Sequence, residues 1–342
     1  MNWSESVYET QSDTGEMLRG ILTVPEQDDS GVVLILLPAG LKDRVGPHRL
    51  YVHVARLMAS YGITVLRLDA MGIGESDGEL DFAFNGKHYR SIQSGLFVAD
   101  CLAVMNDIDQ RMGRRKFILG GLCGGAISAQ LVAAKSVEEQ DVDRVLGVLS
   151  WSHVAVLDSE EPSARGATRS EVVSNSRSYI RKVFSPHAWQ RIFRRESSFS
   201  EIFSNMKSMF SLLFEKLGLV RLHWENENSL FFSSFRQIQY AGVHHLMIFG
   251  ERDSRWTAFK ELVVDGFLNG YFEGKGYRVI VIKDANHEFH LKNWSRLLMA
   301  VSLQWAAELS GLPYDELATE MRLDVGDIFS IKDNASMMKG ES

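Results

Sequence analysis

Cysteine is scarce in this chain. Only two cysteines, Cys101 and Cys123, occur among its 342 residues, which is too few for the disulfide framework of a small secreted protein. The first residues, Met1 to Gln11, are polar and acidic, without the basic region and apolar core of a signal peptide. The sequence therefore predicts a cytoplasmic protein with free thiols.

Long apolar runs and an excess of positive charge are also missing. No run approaches the roughly 20 apolar residues that span a bilayer, so we predict no transmembrane segment. The formal net charge of -7 gives no reason to expect nucleic-acid binding. The ten histidines are scattered, and no cysteine or histidine has the spacing of a zinc site. We therefore expect neither a metal nor another cofactor.

Two kinds of apolar segment alternate up to Trp151. Short continuous apolar runs predict strands that are buried on both faces. These runs are Val32–Leu37, Ile63–Leu68, Lys116–Leu119 and Val145–Trp151. Between them lie segments with helical apolar spacing, namely His48–Ser60, Ser91–Asp109 and Gly124–Lys135. This alternation predicts an α/β fold, with a mostly parallel central sheet and helices on both faces. Val7–Thr10 and Leu18–Val24 are predicted to form an antiparallel pair at its edge.

The alternation stops after Trp151 and resumes near His245. Residues 158–236 contain helical patterns but no convincing buried strand, which predicts an inserted helical lid. Two further strands and a helix follow it, at His245–Phe249, Tyr277–Ile282 and Asn293–Ser310. The predicted organisation is therefore a core in two parts, 1–157 and 237–332, a lid at 158–236, and a flexible tail at 333–342.

The strongest motif is a glycine-flanked cysteine, Gly121-Leu122-Cys123-Gly124-Gly125. It lies between a predicted strand and a predicted helix, where a G-x-Ser-x-G motif would present a nucleophile on a sharp turn. Glycines are needed there because side chains would collide with the neighbouring strand and helix. The helix N-terminus also favours a negative thiolate. The alternative is a buried structural cysteine beside a glycine-rich turn.

Candidate partners for Cys123 follow the last two predicted strands. Asp253 closes one strand and His287 follows the other, in the order nucleophile, acid and histidine. We expect His287 to accept the thiol proton and Asp253 to orient the imidazole. Glu251 and His290 are the competing residues. Each candidate alone could be an ordinary loop residue, so the prediction depends on the set.

The oxyanion hole is predicted from the loops that follow two strands. One donor is the backbone N–H of Gly124, immediately after the nucleophile. The second is expected from the loop after Val32–Leu37, at Leu41 or Gly40. The glycine-rich loop from Asp69 to Ser76 lacks the G-x-G-x-x-G spacing of a nucleotide site, and we interpret it as a tight structural turn.

The chain resembles the α/β-hydrolase superfamily over nearly its whole length. More closely, it resembles the exosortase A system-associated hydrolases. The matching runs are residues 44–52 (RVGPHRLYV), 66–69 (LRLD), 72–76 (GIGES) and 185–189 (SPHAW). The resemblance implies an α/β-hydrolase fold and acyl-transfer chemistry, without a substrate. Many hydrolases have His-Gly before the oxyanion donor, whereas this chain has Ala39-Gly40.

A cysteine nucleophile forms an acyl thioester, which amines and thiols attack more readily than they attack an oxyester. We therefore expect an acyltransferase or thioesterase that acts on an acyl thioester. One alternative is a hydrolase of a small ester, amide or lactone. Another is a non-catalytic α/β-hydrolase-fold protein that binds a ligand or partner.

A basic stretch within the predicted lid indicates what kind of molecule donates the acyl group. Between Arg165 and Arg195 the only acid is Glu171, although the whole chain is acidic. Such a stretch would suit coenzyme A or an acidic acyl carrier protein, and we assign the docking role to Arg191, Arg194 and Arg195. The alternative is a solvated basic helix face.

Overall fold

The computed structural model describes residues 2–80, 85–114, 116–157, 228–267, 276–313 and 328–331. The predicted lid as far as residue 227, with Arg191, Arg194 and Arg195, lies outside the described residues. The predicted tail, 333–342, also lies outside them.

A single sheet organises the described core. Its strands are β1 (Trp3–Gln11), β2 (Met17–Pro25), β3 (Val32–Leu36), β4 (Thr64–Asp69), β5 (Lys116–Leu122), β6 (Val145–Trp151), β7 (His244–Gly250), β8 (Tyr277–Ile282) and β9 (Ile328–Ile331). They lie in the order β1-β2-β4-β3-β5-β6-β7-β8-β9. Strands β3 to β8 are parallel, whereas β1, β2 and β9 pair antiparallel at the two edges. The predicted mostly parallel sheet, with an antiparallel pair at one edge, is confirmed.

Helices cover both faces of this sheet. They are α1 (Leu50–Ser60), α2 (Asn85–Gln93), α3 (Val98–Met112), α4 (Gly124–Glu138), α5 (Ser229–Tyr240), α6 (Ser254–Phe259), which continues as a π-helical segment (Lys260–Phe267), and α7 (Lys292–Ser310). Alternate residues of β3 contribute to opposite apolar layers: Leu34 and Leu36 pack with α1 and α7, and Val33 and Ile35 pack with α3 and α4. This two-sided burial explains why the central strands are continuously apolar.

Two segments differ from the sequence prediction. The single helix expected at Ser91–Asp109 is divided between α2 and α3, because the chain turns at Gly95, whose φ is 103°. Residues 229–236, assigned to the lid by the sequence, form most of α5. That helix packs on α4, where the Gln130 side-chain amide donates to the Phe231 carbonyl over 2.9 Å. Within the described ranges, no helix combines the length and apolarity needed to cross a membrane.

Candidate active site

The three residues predicted to act together follow three parallel strands. Cys123 comes directly after β5, Asp253 lies three residues beyond β7, and His287 lies in the loop after β8. The carboxyl ends of parallel strands share one edge of the sheet, which is where ligands bind in open α/β sheets. The fold therefore brings these distant segments together.

Cys123 occupies a strained turn. Its φ of 56° and ψ of -110° are unfavourable for a residue that carries a side chain. The turn is held by a hydrogen bond of 2.9 Å from the Cys123 N–H to the Trp151 carbonyl. The side chain is partly exposed and stands at the N-terminus of α4, where the helix dipole favours a negative group.

The flanking glycines are sterically required. A Cβ on Gly121 would lie 2.9 Å from the backbone of Gly125 and from the Leu37 carbonyl oxygen. A Cβ on Gly125 would lie 2.6 Å from that same oxygen. Because these contacts involve backbone atoms, larger residues would move β3 away from the turn that carries Cys123.

His287 contacts Asp253 as the sequence predicts. Its Nδ1 lies 3.0 Å from Oδ2 of the buried Asp253, whose other oxygen, Oδ1, accepts the N–H of Arg255 over 2.9 Å. Glu251 is exposed and accepts the N–H of Asp284 instead. The ring of His290 packs against Trp294 with centroids 5.4 Å apart. Asp253 is thus the carboxylate that lies beside the imidazole of His287.

Electrostatics favours a protonated His287. Burial alone would lower its pKa, but hydrogen bonds to Asp253 and Cys123, together with their negative charges, raise the pKa of His287 to about 10. Burial would raise the pKa of Asp253, but hydrogen bonds from His287 and Ser152 hold that pKa below its ordinary value. The imidazole therefore lies between two acids that both favour its cation.

Ser152 is a site residue that the sequence analysis missed. Its hydroxyl donates to the His287 carbonyl over 3.2 Å and is close enough to the Asp253 carboxylate to lower the pKa of that group. The single hydroxyl hydrogen can serve only one of these acceptors at a time. Ser152 therefore links the acid to the loop that carries the histidine. Its position directly after β6, at the same sheet edge, was the available signal.

The loop after β3 lies over the start of α4. A Cβ on Gly124 would lie 3.0 Å from the nitrogen of Gly40. The Gly40 N–H is already used, because it donates to the Pro38 carbonyl over 2.9 Å. Among the described residues, the N–H of Leu41 and that of Gly124 have no acceptor. Of the two residues considered in this loop, Leu41 thus has the available donor.

Ion pairs fix the loops around this edge. The buried carboxylate of Asp69 pairs with Arg44 and accepts the N–H of Glu75 over 3.0 Å, so the glycine-rich loop is a structural turn. Glu288, next to His287, pairs with Lys42 and lies 3.2 Å from Nε2 of His48. In the described part of the chain, no group of three or more His, Cys, Asp or Glu side chains is arranged to hold a metal ion.

Comparison with known proteins identifies the fold. A family model described as serine aminopeptidase, S33, matches residues 33–149, a range that includes Cys123 but ends before Asp253 and His287. No curated protein is significantly similar in sequence to the chain.

Solved structures with a similar fold include a dienelactone hydrolase from Anabaena variabilis (14% identity, TM-score 0.52), for which the match covers 90% of this chain and 99% of the other. A protein from Thermus thermophilus has 16% identity and a TM-score of 0.52, covering 91% and 100%. A cold-adapted esterase from an Arctic intertidal metagenomic library has 14% identity and a TM-score of 0.51, covering 92% and 96%. The chain therefore has the α/β-hydrolase fold, as predicted.

Proposed function

We propose that the protein is an acyl-transfer enzyme in which Cys123 carries the acyl group as a thioester. The observation that carries this proposal is the contact of 3.0 Å between Nδ1 of His287 and Oδ2 of Asp253, beside a cysteine that raises the pKa of the imidazole and stands on a strained turn at a helix N-terminus. A nucleophile, a base and a residue that orients the base are the parts that nucleophilic acyl transfer needs.

In the first half-reaction, the Cys123 thiolate attacks the carbonyl carbon of the donor and forms a new C–S bond. The carbonyl electron pair moves to oxygen, where the N–H groups of Gly124 and Leu41 stabilise the negative charge. Collapse of this intermediate breaks the bond to the leaving group. That group takes a proton from the His287 imidazolium and departs as a thiol or an alcohol.

The second half-reaction regenerates the enzyme. An acceptor, either water, an alcohol, an amine or a thiol, gives its proton to the neutral His287 and attacks the acyl-thioester carbon. The second intermediate collapses and expels Cys123 as a thiolate, which restores the ion pair with the imidazolium. A thioesterase and an acyltransferase differ only in this acceptor, so products from a panel of acceptors would separate the two.

A hydrolase of small esters, amides or lactones is the second candidate. The supporting observation is the similarity in fold to a dienelactone hydrolase and to an esterase, together with the serine aminopeptidase model. The two candidates prefer different donors. Faster turnover of p-nitrophenyl butyrate than of butyryl-coenzyme A, with free acid as the product, would support the hydrolase.

Thiol reactivity distinguishes both enzymes from a binding protein. We predict that iodoacetamide at pH 7 modifies Cys123 and leaves Cys101 unmodified in the folded protein. Cys123 is partly exposed beside an imidazolium, whereas Cys101 is fully buried and burial raises the pKa of its thiol. Peptide mapping by mass spectrometry gives the answer, and Cys101 is the internal control. An unreactive Cys123 would favour the binding protein.

We further propose that the basic stretch in the predicted lid docks an anionic donor. Changing Arg191, Arg194 and Arg195 together to Glu should raise KM for acyl-coenzyme A at low salt by about tenfold, and should leave KM for neutral p-nitrophenyl esters unchanged. Wild-type KM for acyl-coenzyme A should also rise with salt. An equal KM for acyl-coenzyme A in the triple variant and the wild type would contradict the docking role.

A further inference from the structure

The hydroxyl of Tyr51 lies between the ends of two neighbouring strands. It accepts the N–H of Leu122 over 2.8 Å and donates to the carbonyl of Leu37 over 2.9 Å. Tyr51 is fully buried. Leu122 is the residue before Cys123, and Leu37 is the residue before the loop Pro38–Leu41. One hydroxyl therefore bonds the backbone immediately before each of the two segments that would form the oxyanion hole.

This hydroxyl takes the place of a sheet hydrogen bond. Strands β3 and β5 pair in register as far as Leu36 and Gly120, and the Leu37 N–H still donates to the Gly120 carbonyl over 2.9 Å. In a regular parallel ladder, the next bond would join the Leu122 N–H directly to the Leu37 carbonyl. The inserted phenol instead bridges these groups and separates the strands where their chains diverge into the two loops.

The neighbours of Tyr51 hold its ring in place. A Cβ on Gly46 would lie 2.9 Å from two carbons of the ring, and the ring centroid is 5.9 Å from that of Trp151. Arg44, two residues before Gly46, is anchored on Asp69 by its side chain and by its backbone N–H. Gly46 therefore leaves room for the Tyr51 ring, and Arg44 anchors the segment that leads to it.

The hydroxyl also stays protonated. Burial raises the pKa of Tyr51, and the negative charge of Cys123 raises it further, while the hydrogen bond from Leu122 lowers it. The net shift of the Tyr51 pKa is upward, so the phenol keeps its hydrogen at neutral pH and donates it to the Leu37 carbonyl.

We infer that Tyr51 is a positioning residue that sets the spacing between the two oxyanion donors, the N–H groups of Leu41 and Gly124. The inference rests on the proposed function, because those donors matter only if an oxyanion forms. Asp253 and Ser152, the neighbours of His287, follow β7 and β6, whereas the hydrogen bonds of the Tyr51 hydroxyl go to Leu37 and Leu122. Loss of the hydroxyl should therefore slow acylation of Cys123 without changing its intrinsic reactivity.

Two rates at the same sulfur test this separation in Tyr51→Phe. Alkylation by iodoacetamide displaces iodide at a methylene carbon and forms no oxyanion. Acylation by p-nitrophenyl butyrate or butyryl-coenzyme A passes through a tetrahedral oxyanion. We expect acylation to fall by about tenfold to a hundredfold, in the range of losing part of an oxyanion hole, while alkylation stays within about twofold and KM changes little.

Tyr8→Phe is the matched control. Tyr8, on the edge strand β1, is also buried. Its hydroxyl donates to the Asp107 carboxylate over 2.7 Å. Both rates should stay at the wild-type level in this variant. Should Tyr51→Phe not fold, Gly46→Ala provides the test, since it displaces the ring but keeps the hydroxyl, and the same selective loss is expected.

The outcomes separate the inference from the function on which it rests. Unchanged acylation in a folded Tyr51→Phe, or an equal fall in acylation and alkylation, would overturn the positioning role. A wild-type protein that is alkylated at Cys123 but neither acylated nor active with either donor would overturn the proposed function, and this inference with it.

Discussion

The imidazole of His287 is held between the thiol of Cys123 and the carboxylate of Asp253. Because its pKa is raised to about 10, the imidazole carries a proton at neutral pH. The raised pKa also affects stability. This contribution is fully present below pH 6.5, the ordinary value, and it is lost as the pH rises through about 10.

Removing the thiol should lower the pKa of His287. Cys123→Ala deletes one hydrogen bond and one negative charge but keeps Asp253, so we expect a value between 6.5 and 10. The pKa is measured by following the His287 ring resonances by NMR as the pH changes. Cys101→Ala is the control and should leave the titration unchanged. A pKa that stays near 10 without Cys123 would show that the two groups do not interact.

The sequence predicts the three central residues because each lies directly after a recognisable strand. The order of nucleophile, acid and histidine does not by itself distinguish Asp253 from Glu251, because the choice depends on which carboxylate is buried against His287. Ser152 also lies directly after a predicted strand, but its role depends on contacts with Asp253 and His287 that this position alone does not reveal. Tyr51 could not be found in the same way, because it lies within a helix and its role depends on contacts with residues far away in the chain.

At the scale of elements, a buried polar cluster joins α4 and α5 to the sheet. His153 and His245 are both fully buried, with ring centroids 5.7 Å apart. Nε2 of His153 lies 2.9 Å from the side-chain oxygen of Gln130, and Nε2 of His245 lies 2.8 Å from the Ser150 hydroxyl. The Nδ1 atom of each ring has no partner among the described residues.

Burial lowers the pKa of His153 to about 3 and holds the pKa of His245 well below 6.5. The unfolded chain therefore binds protons first as the pH falls below about 6.5. The free energy of unfolding that depends on these neutral histidines is fully present above that pH. It decreases below that pH, by up to about 1.4 kcal/mol per pH unit for each histidine.

Replacing one half of this cluster should reduce the sensitivity to acid. We predict that His245→Leu combined with Ser150→Ala, which removes both partners of one bond, loses less unfolding free energy than the wild type between pH 7 and pH 5. Urea unfolding at the two values measures the difference. His244→Leu, at the exposed neighbouring position, should behave like the wild type. A parallel loss in the wild type and the double variant would contradict the assignment.

Some boundaries of strands and helices could be predicted from the local sequence, and others depend on packing or on backbone angles that the sequence pattern does not show. The continuous apolar runs predict the central strands because burial on both faces leaves few polar positions. The break between α2 and α3 was missed because the apolar spacing continues across it, while Gly95 adopts a backbone angle that the spacing does not reveal. The assignment of residues 229–236 to the lid followed from the lack of strands, whereas α5 packs on the core through Phe231 and Phe235.

At the scale of the whole molecule, the parallel sheet is what brings the site together. Cys123, Asp253 and His287 belong to three separate strand-end segments, and the parallel arrangement places all three at one edge. The fold class could therefore be predicted from the alternation of strands and helices. The substrate could not, because an α/β-hydrolase fold supports many chemistries and the identity of the acyl donor depends on residues outside the strand ends.

The central claim is that Cys123 carries an acyl group, and intact-mass spectrometry tests it most directly. The protein is mixed with a panel of acyl thioesters and esters beside Cys123→Ala, and released product is assayed in parallel. We predict a mass increase of one acyl group that maps to Cys123 and is absent from the variant, or product release that the variant lacks. A folded wild-type protein that shows neither the adduct nor product release with any donor, or a variant that turns donors over equally well, would contradict the account.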